Sequence, residues 1–315
     1  RRICMGSKQR INDIAYIQRS FKRIKKNNPE FSEMLDTFEN FAVKRARIRT
    51  ALEKAENPSE FPIDSNSLAK GIPVFHGLQA NDFKKNFSVV ANALHPFLAS
   101  TFKPLANSIE ILNKTLDHKD NKIQTYIESI LSDDSKKLEQ LGKSLNISLE
   151  TLHFILSQTL KILFENKSSE IRKFLKTKSW EKGYCPLCGA FPDISFLRTG
   201  NTEPEKSEFL KAHGGRLWLH CSQCSHEWQI KRSLCAYCNN EETKSLEYFS
   251  IKNNNKERVY TCRHCKKYIA CIDEREDIEP NHPEAVAVGA VPLYIIAQEK
   301  GFAPMANTQL NTIGT

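Results

Sequence analysis

Eight cysteines stand in four pairs, each separated by two residues: Cys185-Pro-Leu-Cys188, Cys221-Ser-Gln-Cys224, Cys235-Ala-Tyr-Cys238 and Cys262-Arg-His-Cys265. Two intervening residues let one tight turn aim both sulfurs at a single ion, and two such knuckles complete a tetrahedral thiolate site. One such pair alone is equally compatible with redox chemistry or chance. Four of them within 81 residues point to two tetrathiolate metal sites with no ligand left over. Pairing by order puts Cys185 and Cys188 with Cys221 and Cys224, and Cys235 and Cys238 with Cys262 and Cys265. Spacing leaves the interleaved arrangement, first knuckle with third, open. Zinc and iron both accept four thiolates; zinc is the ordinary structural ion, and iron is expected if a site carries an electron. Eight sulfurs fill both sites, so no open coordination position is visible and hydrolytic metal catalysis is disfavoured.

The remaining chemistry-bearing residues are less specific. Cys271, six residues past Cys265, reads as a buried strand cysteine rather than a redox thiol. Cys4 lies near the start of the chain. His220, His226 and His264 adjoin knuckles, where supporting or surface roles suit them better than ligation, since the thiolate set is complete. His76, His95, His118 and His153 have no second ligand at helical spacing. The acidic run Asp273, Glu274, Glu276, Asp277 and Glu279 reads as a solvated linker. The chain contains no Gly-rich phosphate loop, serine-nucleophile elbow or His-Glu-x-x-His motif.

The knuckles must be held by small sheets. Residues 194–197 and 216–219 flank a polar loop with Gly214-Gly215, and residues 246–251 and 258–260 flank Asn253-Asn254-Asn255. Each is a strand–turn–strand signal between two knuckles, the plan of a metal ribbon. Trp228 and Ile230, in the short stretch between Cys224 and Cys235, predict a further strand that couples the two modules rigidly. Each ribbon is too small for a core of its own, so metal binding contributes much of its folding free energy, on the order of 10–16 kcal/mol in comparable small zinc domains.

Upstream the periodicity changes to three and four. Ile11, Ile14, Ile17, Phe21 and Ile24 form one stripe; Phe31, Leu35, Phe38, Phe41, Ile48 and Leu52 form a second, with Arg45 in an apolar slot. Phe83, Phe87, Val90, Leu94 and Phe97 form a third. Leu149, Leu152, Leu156, Leu160 and Leu163 form a fourth, opened by Ser148 as N-cap. Pro58, Pro62, Gly71, Pro73 and Gly77 predict a loop over 57–78. The fold class expected is α+β: an N-terminal all-helical domain, two tandem rubredoxin-like or zinc-ribbon modules, and a short C-terminal helix.

Charge divides at the same place. Residues 1–179 carry 30 Lys and Arg against 20 Asp and Glu, and residues 180–315 carry 16 against 17. Ribbons often read nucleic acid, which makes a nucleic-acid-binding zinc-ribbon protein the alternative function. A ribbon reader should itself be basic, because phosphate contacts supply most of the affinity, and this one is not. Lys22, Arg23, Lys25 and Lys26 read as a solvated helix face. A dithiol oxidoreductase would need a βαβ context around one pair, and none surrounds these. The longest apolar run, residues 285–297, is too short for the roughly 20 residues of a bilayer span and is broken by Gly289 and Pro292. Arg1 and Arg2 precede no apolar h-region, so no export signal is expected, the compartment is reducing, and the true start is Met5 or an upstream residue.

At the knuckles the sequence resembles the FdhE-type formate dehydrogenase accessory proteins. The resemblance lies in Cys185-Pro-Leu-Cys188-Gly189, Gly215-Arg216-Leu217-Trp218-Leu219-His220 running into Cys221, Trp228, Arg232-Ser-Leu-Cys235, Thr261-Cys262-Arg-His-Cys265, Tyr268 and Glu299-Lys300-Gly301-Phe302. It covers residues 180–303. It implies a cytoplasmic maturation factor rather than an enzyme, which binds the catalytic subunit of formate dehydrogenase before export. It implies iron as cofactor in both sites, with zinc as the other choice, and Cys185, Cys188, Cys221, Cys224, Cys235, Cys238, Cys262 and Cys265 as ligands. No nucleic acid and no membrane insertion are implied. The units expected are a client-binding helical domain over 1–179, four-cysteine modules over 180–232 and 233–275, and a helix with tail over 276–315. Trp218, Trp228 and Tyr237 are candidate client anchors. The interruption at Gly289 and Pro292 departs from the continuous amphipathic C-terminal helix the resemblance leads one to expect.

Overall fold

The computed structural model describes residues 12–55, 63–115, 122–131, 135–175, 180–199, 215–251 and 256–311; Cys4, Ile11 and His118 lie outside them. The helical half begins with α1 (Ile14–Asn27), capped by Asp13, whose carboxylate accepts the Tyr16 N–H at 3.1 Å. It buries Ile17, Phe21 and Ile24, the residues of the first stripe. Helix α2 (Ser32–Ala55) follows a turn opened by Pro29 and buries Leu35, Phe41, Ile48 and Leu52, together with Arg45 and Arg49. The region expected as a loop holds a short helix α3 (Ser65–Ala69), nucleated by the Asp64 cap and anchored by buried Leu68. Helix α4 (Asn81–Thr101) carries the third stripe and continues past Pro96. Then come α5 (Ala106–Thr115), α6 (Lys122–Leu131), α7 (Ser135–Leu145) and the long α8 (Leu149–Leu175). Ser148 caps α8, its hydroxyl accepting the Thr151 N–H at 3.2 Å. Helix α8 packs on α2, α4 and α7, and its 27 residues, about 40 Å at 1.5 Å each, reach from the helical core to the sheet.

The sheet contains β1 (Pro192–Arg198), β2 (Arg216–Cys221), β3 (Glu227–Ile230), β4 (Leu246–Ser250), β5 (Glu257–Cys262) and β6 (Lys267–Asp273), in the order β3-β2-β1-β6-β5-β4, with β7 (Ala303–Pro304) beside β6. Each expected ribbon is present, and the strand expected around Trp228 is β3. The two ribbons are continuous with one another through the parallel pairing of β1 with β6, where Ile194 faces Ala270 and Phe196 faces Ile272. Alternation sorts the side chains. Ile194, Phe196, Val259, Tyr268, Ala270 and Ile272 join α1 and α2 in one core, whereas Leu197, Leu217, Leu219, Ile269 and Cys271 join the core that runs on into the bundle. Cys271 is the buried strand cysteine its position suggested.

The C-terminal stretch forms two short helices, α9 (Pro283–Gly289) and α10 (Val291–Glu299), because the chain turns at Ala290. Helix α9 lies on α1 and α2 at the far end of the sequence. Gly289 permits the contact: a β-carbon there would sit 2.7 Å from the Ile24 side chain. The acidic run is no solvated linker. Glu274 is buried and accepts from Arg198 at 2.8 Å, Asp273 pairs with Arg258 and Arg275, and Glu279 pairs with Arg19 and Arg23. Arg23 is thereby partly committed, and Lys25 pairs with Asp36.

Candidate metal centres

Four copies of one backbone turn build both sites. In each, the N–H following the second cysteine donates to the carbonyl of the first: Gly189 to Cys185 at 2.9 Å, Ser225 to Cys221 at 3.2 Å, Asn239 to Cys235 at 2.9 Å and Lys266 to Cys262 at 2.8 Å. Each of those donors sits in the left-handed region, with φ of +81°, +52°, +58° and +57°. Glycine suits that conformation and asparagine tolerates it; serine and lysine adopt it at a cost. The turn also aims amide donors at sulfur, Leu187 N–H at Cys185 Sγ and Gln223 N–H at Cys221 Sγ, both at 3.4 Å.

The structure brings Cys185, Cys188, Cys221 and Cys224 together, and separately Cys235, Cys238, Cys262 and Cys265, each set with all sulfurs within 4.8 Å. A tetrahedral ion with 2.3 Å metal–sulfur bonds separates its sulfurs by about 3.8 Å. Cross-knuckle sulfurs lie 3.5 and 3.3 Å apart in the first cluster and 3.8 and 3.8 Å apart in the second. Both donor sets therefore fit one tetrahedral ion each. Burial alone would raise the Cys221 thiol, but hydrogen bonds from Cys185, Cys188 and Cys224 hold it well below its ordinary value, while burial pushes Cys185 well up.

The histidines beside the knuckles are not ligands in either cluster. His220 Nδ1 pairs with Asp193 Oδ1 at 2.8 Å, His226 is buried and stacked on Trp228, and His264 is exposed. Among the isolated histidines, His95 is fully buried between Asn113 Oδ1 (2.6 Å) and Thr159 Oγ1 (3.1 Å), and His76 and His153 are exposed. Trp228 is no exposed anchor: it is 4% exposed, and its indole N–H donates to the Lys182 carbonyl at 3.0 Å. Trp218 is half-buried and Tyr237 is 38% exposed, packed at a 32° tilt against the Phe191 ring.

Sequence reasoning missed the polar layer between the helices and the first cluster. Lys161 Nζ donates to the Ser222 carbonyl at 2.7 Å, and Ser168 and Arg172 donate to the Cys224 carbonyl at 3.0 and 2.9 Å. The Ser225 hydroxyl donates to Glu165 Oε1 at 2.6 Å. Glu165 itself is buried against Arg49 and near Arg45, which also contacts Glu284. Burial would raise the Glu165 carboxyl, but Arg49, Arg45 and Lys161 outweigh it and hold it far below the carboxylate range. Burial lowers Arg45 to about 10. The legible hint was Arg45 itself, a charge in an apolar slot.

No family model matches the chain. A protein from Aquifex aeolicus named as an FdhE homolog is 30% identical over 195 residues, 61% of this chain and 64% of that protein. Homologs so named from Actinobacillus pleuropneumoniae and Proteus mirabilis are each 26% identical, over 80% and 90% of this chain and 79% and 83% of theirs. The crystal structure of the FdhE protein from Pseudomonas aeruginosa superposes on 98% of this chain and 98% of its own, with a TM-score of 0.65 at 18% identity. The chain is thus similar in sequence to proteins named as FdhE homologs and shares the fold of the FdhE crystal structure. The helical bundle and the six-strand sheet path belong to a fold shared with that structure along nearly the whole chain. No helix among the described residues is long and apolar enough to cross a membrane.

Proposed function

We propose that this protein is an accessory factor for the maturation of formate dehydrogenase, binding its catalytic subunit in the cytoplasm before export, and is not itself an enzyme. The observation that carries the reading is the coincidence of FdhE-type likeness over 90% of the chain with two complete cysteine clusters. Iron is the proposed ion in both sites, held by Cys185, Cys188, Cys221 and Cys224 and by Cys235, Cys238, Cys262 and Cys265; four thiolates around iron would supply a one-electron centre. Closed tetrathiolate sites leave no coordination position for substrate, which suits a binding protein rather than a metal hydrolase. Residues 1–179 are the proposed client-binding domain, residues 180–232 and 233–275 the two metal modules, with Trp218 and Tyr237 as the aromatic contacts left available.

Anaerobic affinity purification from the native host tests the reading. Recovery of a formate dehydrogenase catalytic subunit, with two iron atoms per chain by elemental analysis, is the expected result. Recovery of nucleic acid with a steep salt dependence would replace it with the zinc-ribbon alternative.

A further inference from the structure

We infer that the two clusters are unequal in use: the first, Cys185–Cys188–Cys221–Cys224, retains its ion as part of the fold, and the second, Cys235–Cys238–Cys262–Cys265, exchanges its ion with the surroundings. The inference rests on the metal-binding part of the function proposed above. Arg172 is the positioning residue that sets the difference.

The helical half grips both knuckles of the first cluster. The Val74 and Phe75 amides, in the turn after α3, donate to the Pro186 and Leu187 carbonyls at 3.0 and 2.7 Å, so the first knuckle is pinned through both residues between its cysteines. Pro73 closes over Gly189, where a β-carbon would come within 3.2 Å of it. The second knuckle hangs on one face of α8, through Lys161 to Ser222, Glu165 to Ser225, and Ser168 and Arg172 to Cys224. Three of the four cysteines are fully buried. Two of the gripping side chains, Lys161 and Arg172, are cations set against carbonyls of the loop that holds the sulfurs. A divalent ion in four thiolates leaves a doubly negative centre. Placing cations beside it in a buried setting favours the loaded state over the empty one.

The second cluster has no such grip among the described residues. Of the four residues between its cysteines, Tyr237, Arg263 and His264 are exposed and only Ala236 is buried, whereas in the first cluster Pro186 and Leu187 are buried and Ser222 and Gln223 half-buried. Cys238 and Cys265, one from each knuckle, are partly accessible. Its backbone contacts come from the same small sheet: Arg263 N–H to the Ser245 carbonyl at 2.8 Å, and Ala303 N–H to the Lys266 carbonyl at 2.8 Å. An incoming thiolate or chelator can therefore reach sulfur and ion here without moving a helix. At the first cluster only Cys188 is partly accessible, and the other three sulfurs lie behind the packed knuckles.

The test uses the full-length protein, loaded anaerobically with Zn²⁺ alone to two ions per chain, and follows release to excess chromophoric chelator. Two phases of equal amplitude are expected, the slow one slower by roughly tenfold or more. Cys265→Ser should remove the fast phase and keep the slow one. Arg172→Gln should speed only the slow phase, by about 10–100-fold, the usual effect of losing a supporting group. Arg172→Lys, which keeps the charge and a donor, should restore most of the retention. With Co²⁺ as probe, Arg172→Gln should shift the sulfur-to-metal charge-transfer band of one ion of the two, a change that mere loosening of the helices would not produce. Release of both ions at one rate, or assignment of the slow phase to the second cluster, overturns the inference while two-ion binding stands. Failure to take up Zn²⁺ at all overturns the metal reading and the inference with it.

Discussion

Lys266 and Ser225 occupy the same left-handed position as Gly189 in otherwise identical turns, and they differ in what holds them there. The Ser225 hydroxyl is tied to buried Glu165, whereas Lys266 places its amine over the Phe302 ring, 5.8 Å from its centroid. A left-handed L-residue costs roughly 1–2 kcal/mol, part of which glycine returns as unfolded-chain entropy. Lys266→Gly should therefore leave the protein unchanged or more stable by up to about 1 kcal/mol in urea unfolding. Glu165→Gln should do the reverse. It leaves Arg45 and Arg49 buried without their shared carboxylate, a loss on the order of 3–5 kcal/mol. If the urea midpoint of Glu165→Gln equals that of the parent, Glu165 is not the counter-ion described above. The two four-cysteine clusters were legible because metal chemistry dictates residue type and spacing locally. Glu165 and Arg172 were not, because their partners, the α2 arginines, Ser225 and the Cys224 carbonyl, are brought to α8 only by the folded chain.

At the level of elements, α9 illustrates how a cap can also titrate. His282 is its N-cap, the side chain accepting the Glu284 N–H at 3.3 Å, and it is buried against Tyr16 with its backbone N–H donating to Ser20. Burial, with Arg49, His220 and Arg45 nearby, lowers its pKa from 6.5 to about 3, and Glu165 opposes this only partly. The unfolded chain thus binds a proton on this group between about pH 6.5 and 3 that the native chain refuses. Stability is full above pH 6.5 and falls with acid by up to about 1.4 kcal/mol per pH unit from this group. His282→Asn keeps a capping oxygen and removes the proton, so stability at pH 8 should persist while the acid slope flattens in chemical denaturation at stepped pH. The helical stripes themselves were readable from periodicity, as were the strand pairs between knuckles. The break into α9 and α10 was visible as Gly289 and Pro292, but its purpose was not: the glycine makes room for Ile24, some 260 residues earlier in the chain.

The whole molecule is a bundle and a sheet that share two cores, with both clusters lodged in the sheet. Its clusters touch through Gly183, whose absent side chain lets the approach to the first knuckle lie against Ala236 of the third; a β-carbon there would fall 1.6 Å from the Ala236 carbonyl oxygen. Gly183→Ala must separate the knuckles and should cost about 1–3 kcal/mol, with weaker Co²⁺ uptake at the second cluster as the readout. All three tryptophans, at 180, 218 and 228, lie in the metal-bearing part. Stripping the ions should therefore change indole fluorescence strongly and leave most helical circular dichroism in place; simultaneous loss of both signals would mean that the bundle depends on the ions as well. The charge asymmetry between halves gave no warning of how firmly they interlock. Pairing of β1 with β6 and docking of α9 are long-range contacts that local pattern cannot encode.

That docking has a consequence for synthesis. Helices α1 and α2 leave the ribosome well before the sheet, yet the apolar face they give to α9 is not covered until residues 283–289 have been made. At 5–20 residues per second the roughly 240 intervening residues take on the order of 10–50 s. For that interval Ile17, Phe21 and Leu35 face water, or a chaperone, on a nascent chain whose cysteines are emerging in turn. The final helices act as the closing stitch, and a transcript that stopped short of them would yield a protein with every metal ligand present and an apolar face still open.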